Sequence, residues 1–127
     1  MNLLIDTHAL IWYIEGNREL SSKAIEAIDN ERNQIFVSKA SLWEMAIKLS
    51  LNKLTISIDF SDLESFLLRC NFLILDFDFP HLKTLMTLPY HHRDPFDRLI
   101  IAQAITENLD VITRDNYFKY YPVRLYW

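Results

Sequence analysis

"NLLIDTHALIWYIEG", residues 2–16, decides the fold. Leu3, Leu4 and Ile5 form a short apolar run that ends at Asp6, the pattern of a buried strand. "HALIWYIE" (8–15) then reads as a helix, with Gly16-Asn17 as its stop. A buried strand passing directly into a helix is the opening of a β-α-β unit, and the rest of the chain repeats it. Strands are expected at 2–6, 34–38, 72–77, 110–115 and 123–127. Helices are expected at 8–15, after a Ser21-Ser22 cap, and at 40–50, 62–70, 79–88 and 95–108. "LTI" (54–56) is ambiguous. Such alternation predicts an α/β protein, a three-layer α/β/α single domain over 1–127 whose central, mainly parallel sheet has four to five strands.

Composition narrows the chemistry. The chain has 127 residues, enough for one core, and half of them are hydrophobic. No apolar run reaches the roughly 18–20 residues of a membrane span. The start lacks a basic region and meets a charge at Asp6, so no secretory signal is read there. Cys70 is the only cysteine, which excludes a disulfide framework within the chain and points to a cytoplasmic setting. The net charge of −4 argues against a broad basic surface, though acidic metal ligands would add to that charge. Gly16 is the single glycine, so no glycine-rich phosphate loop can be written.

The parallel sheet turns sequence positions into spatial ones, because functional groups gather beyond the carboxyl ends of the strands. Asp6 ends the first strand, where an acid is costly unless solvated, hydrogen-bonded or bound to a cation. It can equally cap the next helix. His8 stands where a phospho-aspartate phosphatase needs a second aspartate. Glu44 lies on the helix after the second strand; Lys48 can pair with it, and Ser41-x-x-Glu44 fits a capping box. In "RDPFDRLIIAQA" (93–104), Asp94 fits an N-cap and Pro95 the first helical position. Asp97 fits either the return arm of a capping box or a ligand carried inward by an apolar helix. Asp115 follows the fourth strand, where an Asx turn is the alternative. Together the four carboxylates, without cysteine, form an oxygen-only set suited to Mg²⁺ or Mn²⁺. Such a cluster is the machinery of phosphodiester cleavage: one ion activates water and another stabilises the leaving oxygen.

At this point the chain resembles PIN-domain ribonucleases, and within them the VapC-type toxins of bacterial toxin–antitoxin pairs. The resemblance rests on "LLIDTHALIW", "LSSKAIEAI", "VSKASLWEMAIKLSLNKL", "LPYHHRDPFDRLIIAQA", "VITRD" and the closing "YW". The family's four acids fall on Asp6, Glu44, Asp97 and Asp115. Asp97 rather than Asp94 takes the third place, seven residues before the small Ala104. Thr113 matches a position that often bears a hydroxyl, able to orient a carboxylate or water. Asn52 and Asn108 stand where relatives often have glycine.

The resemblance implies an Mg²⁺- or Mn²⁺-dependent endoribonuclease, usually dimeric and neutralised by a cognate VapB-like antitoxin. Trp12 and Tyr13 are candidate interface residues or else core. Arg93, Arg98 and Arg114 are candidate RNA contacts, and His91 and His92 read as surface or cap residues. The alternatives are a nuclease of RNA processing or DNA cleavage with the same site, and a non-catalytic RNA- or protein-binding module.

Overall fold

A computed structural model describes residues 1–127. Five strands form one sheet: β1 (Asn2–Ile5), β2 (Gln34–Ser38), β3 (Phe72–Leu75), β4 (Asp110–Ile112) and β5 (Leu125–Tyr126). Their spatial order is β3-β2-β1-β4-β5, and every pairing is parallel, so the mainly parallel expectation becomes wholly parallel. Six helices link them: α1 (Thr7–Glu15), α2 (Ser22–Asp29), α3 (Lys39–Ser50), α4 (Phe60–Arg69), α5 (Phe79–Thr87) and α6 (Pro95–Glu107). A 3-10 turn, Asn116–Tyr120, follows β4. "LTI" belongs to no regular element.

Alternation in β1 builds the two halves of the core. Leu3 and Ile5 join one apolar cluster with Leu10, Ala24, Met45, Leu67 and Phe72. Leu4 faces the other, with Ile100, Ile101, Val111 and Phe118. α6 is buried from Asp97 through Ala104, so it is apolar nearly all round and drives its first turn inward. Gln103 on that helix is wholly buried: its carbonyl accepts from the Ser38 hydroxyl (2.5 Å) and its amide donates to the carbonyl of Asp76 (3.2 Å). One polar side chain thereby ties α6 to the carboxyl ends of β2 and β3.

The caps explain where helices start. Ser21 and Asp94 cap as expected, but Ser38 caps α3 in place of Ser41. The Ser41 hydroxyl instead accepts from Thr7, which joins the starts of α1 and α3. Expected strands one, three, four and five run past their observed ends, because pairing stops at Ile5, Leu75, Ile112 and Tyr126, and the fifth begins only at Leu125. Gly16, Asn52, Asn71 and Asn108 all have positive φ. The asparagines thus adopt the left-handed turn that glycine adopts more freely.

Sheet order places the useful crevice. The chain winds from β1 to β2 to β3, then returns to the far side of β1 as β4. Between β1 and β4 the connections leave in opposite directions, which opens a gap beyond their carboxyl ends. Ile5 pairs with Ile112, so Asp6 and Thr113 emerge side by side into that gap.

Candidate metal centre

Asp6 is buried and doubly held. Its Oδ1 accepts from the Ala9 backbone N–H (2.8 Å), and its Oδ2 accepts from the Thr113 hydroxyl (2.5 Å). It is therefore both the cap of α1 and a carboxylate fixed at the crevice. Burial pushes its pKa up to about 6, against the lowering effect of the Thr113 and Ala9 hydrogen bonds. The Thr113 oxygen also accepts from the Asp115 N–H (3.0 Å), so one hydroxyl sets the spacing of two acids.

Asp97 enters from α6. Asp94 accepts from the N–H groups of Phe96 and Asp97 (2.8 and 3.0 Å), and Pro95 occupies the first turn. The Asp94 N–H does not meet Asp97 in a capping box; it donates to His92 Nδ1 (3.2 Å). The Asp97 carboxyl is left free to face the crevice. Burial, then the charges of Asp94, Asp6, Glu44 and Asp115, push its pKa up to about 8. In the absence of a cation, then, Asp97 holds its proton at neutral pH.

His92 completes the cluster. Its Nε2 lies 2.8 Å from Asp115 Oδ2 and 3.2 Å from Asp97 Oδ2. Because Nδ1 accepts the Asp94 N–H, a neutral ring carries its proton on Nε2 and donates it to Asp115, with Asp97 Oδ2 close beside it. His92, Asp97 and Asp115 each offer a ligand atom, all within 4.8 Å of one another. The reading of His92 as a surface residue is corrected here: it is buried among the acids. Its position two residues before a cap gave no periodic signal of that. His91 is exposed, its ring beside Tyr120 and Tyr121.

Glu44 approaches from α3. Its Oε2 accepts from Lys48 (2.8 Å), while the buried Oε1 has no partner at all. An orphaned buried carboxylate oxygen is costly, and its charge is felt by Asp97. Three further carboxylates at the same edge, two of them with raised pKa, make an oxygen-rich donor set. A divalent cation fits this set: it would satisfy Glu44 Oε1 and replace the protons.

A family profile described as PIN domain matches residues 3–123. The chain belongs to the PIN-domain family. No curated protein matches its sequence significantly. Its fold is shared with solved toxin–antitoxin assemblies. One is VapBC2 from Rickettsia felis bound to a promoter DNA fragment (23% identity, TM-score 0.74, covering 98% of this chain and 97% of that one). Another is DNA-bound VapBC from Salmonella typhimurium (20%, TM-score 0.73, 98% and 96%). FitAcB from Neisseria gonorrhoeae is similar too (19%, TM-score 0.69, 98% and 96%).

The three candidate arginines of this PIN domain have separate fates. Arg98 is buried, and its guanidinium donates to the carbonyls of Leu88, Pro89 and His92 (3.2, 3.0 and 3.3 Å). Its reading as an RNA contact is corrected: the fork is spent on the loop before α6. Arg114 pairs with Glu19 and covers the Trp12 ring (4.5 Å). Arg93 is exposed. Tyr13 donates to Asp29 (2.7 Å) and packs edge-on against Phe72, so it is tied to the core. Trp12 lines a cleft of about 280 Å³ with Asp6, His8, Arg114 and Asp115, which opens the acids to solvent.

Proposed function

We propose that this PIN domain is an Mg²⁺- or Mn²⁺-dependent endoribonuclease and the toxin of a bacterial toxin–antitoxin pair. The observation that carries the reading is the cluster of His92, Asp97 and Asp115, joined to Asp6 through the Thr113 hydroxyl and near a buried Glu44 whose Oε1 lacks any partner. Asp6, Glu44, Asp97 and Asp115 would hold the cation. When bound, it supplies activation of water and neutralises charge on the phosphate.

The remaining work falls to the protein. Thr113 keeps Asp6 and Asp115 in fixed relation. Asp97 releases its proton before it serves as a ligand. Lys48 balances one oxygen of Glu44 and leaves the other free. The open cleft beside Asp6 and Asp115 admits an extended backbone. The partner reading draws on the likeness to VapBC and FitAB assemblies; a VapB-like antitoxin would cover the domain, and two copies would form the active dimer.

The test is induced expression of the wild type and Asp97→Asn in a bacterial host, with cellular RNA mapped for cuts. Purified protein is assayed in parallel on RNA and DNA with Mn²⁺ or EDTA. The wild type arrests growth and cuts RNA only with the metal; Asp97→Asn does neither. Equal arrest by both would remove Asp97 from the centre. DNA cleavage in preference to RNA would move the protein to a different nuclease role.

A further inference from the structure

A second cleft adjoins the acids at His92. It measures about 500 Å³ and is lined by Tyr90, His91, His92, Arg93, Asp94 and Tyr117. That volume falls in the range of about 300–1,000 Å³ usual for small-ligand clefts. The wall it shares with the metal centre is His92, whose ring meets Tyr117 (5.5 Å between centroids) and whose Nε2 holds Asp115. Asp115 joins the two sides itself: Oδ2 accepts from His92, and Oδ1 accepts from the Tyr117 N–H (2.9 Å).

The cleft displays flat rings on a fixed frame. Tyr90 is 78% exposed and Tyr117 56% exposed. Single exposed apolar residues are ordinary, but neighbouring exposed rings around a cavity are not. The loop that carries Tyr90 is pinned, since the Arg98 guanidinium binds the carbonyls of Leu88, Pro89 and His92, while Tyr117 sits on the 3-10 turn capped by Asp115. The Tyr121 hydroxyl donates to the Pro89 carbonyl (2.7 Å) and accepts the His92 N–H (2.8 Å). Arg98 also lies 3.8 Å under the Tyr90 ring, which fills one face and leaves the other open. A site organised in advance spends little on ordering when it binds.

Resting on the nuclease reading above, we infer that this cleft seats the base of a nucleotide next to the cleaved phosphate of single-stranded RNA, stacked on Tyr117 and Tyr90. Three kinds of group fit that ligand together. The rings meet the π-face of any base. Arg93 supplies a cation for the backbone at the rim. The Asp94 carboxylate, with its Oδ2 uninvolved in the cap, can accept from a base edge. A single strand can present an unstacked base to this cleft, whereas a duplex keeps its bases stacked away from it.

The test is binding of a short RNA containing 2-aminopurine, in EDTA so that no cutting occurs. The wild type quenches the probe by stacking. Tyr117→Leu and Tyr90→Leu, at exposed positions where folding is little affected, each weaken binding by roughly 5- to 150-fold, the worth of one base–aromatic stack. Tyr117→Phe keeps the ring and the quenching. Unchanged affinity and quenching in both leucine variants overturn the inference, as does an absence of quenching with bound RNA, which would return the rings to a protein-binding face. The two readings separate with Mn²⁺ added. RNA cut equally well by Tyr117→Leu leaves the nuclease standing without the cleft. Quenching lost in Tyr117→Leu, in a wild type that cuts nothing, leaves the cleft standing without the nuclease.

Discussion

At the scale of single residues, the acids and the groups that hold them divide into ligands and holders. Asp94 is a holder. Asp94→Ala removes the side-chain acceptor of two N–H groups and costs about 1 kcal/mol, read by urea unfolding. Asp97→Asn leaves the cap intact, so it keeps the fold while Mn²⁺ binding measured by calorimetry is lost. His92 is the more discriminating case. With Nδ1 accepting from Asp94, its Nε2–H orients Asp97 and Asp115, and a side chain that keeps a donor does part of that task. Mn²⁺ affinity is expected to fall about tenfold or more in His92→Ala, a typical loss for a group that orients ligands, and to recover partly in His92→Gln. Equal loss in both would make the imidazole nitrogen itself a ligand. Asp6, Asp97 and Asp115 were legible as candidates because each closes a strand or opens a helix at a recognisable place, whereas Glu44 lies inside α3. His92 was not, since a histidine in an irregular loop carries no period, and its burial depends on Arg98 folding that loop inward.

At the scale of elements, the loop from Leu88 to Arg93 depends on a helix it precedes. Arg98→Met removes the guanidinium from three carbonyls and is expected to cost about 3 kcal/mol of stability, with faster amide exchange confined first to that loop. Arg93→Gln, at an exposed site, leaves stability unchanged and instead lowers the salt dependence of RNA binding by about one phosphate contact. A thermal melt beside a salt titration checks both. Two arginines five residues apart look alike in sequence because charge does not reveal which fork will find carbonyls. Helix and strand order were readable from apolar periods, but strand ends were not. β4 stops at Ile112 because β1 stops at Ile5, a constraint imposed by the partner strand. Gln103 stayed hidden for a similar reason: it lies in an apolar helix and is justified only by Ser38 and Asp76, far away in sequence.

At the scale of the whole molecule, the acid centre opposes the fold that builds it. Asp6 and Asp97 bind protons more tightly folded than unfolded, with values near 6 and 8 against an ordinary 3.8. Their contribution to stability is fully present below pH 3.8 and is lost as pH rises through about 6 and about 8. The protein in EDTA should therefore melt at progressively lower temperature from about pH 4 to pH 8, by an amount worth a few kcal/mol. Mg²⁺ or Mn²⁺ should restore the melting temperature more at pH 8 than at pH 5, and Asp97→Asn should flatten the profile. A melting temperature in EDTA that rises over this range would contradict the raised values. The position of β1 has one more consequence, which belongs to synthesis. Asp6 is made 107 residues before Thr113, and Thr113 and Asp115 reach it only through the pairing of β1 with β4. A nascent chain that has emerged as far as α5 contains β1, β2 and β3, which are neighbours in the finished sheet, and yet lacks half of its acids. The cell that makes this protein thus meets a complete acid cluster only after the segment through Asp115 is free to fold.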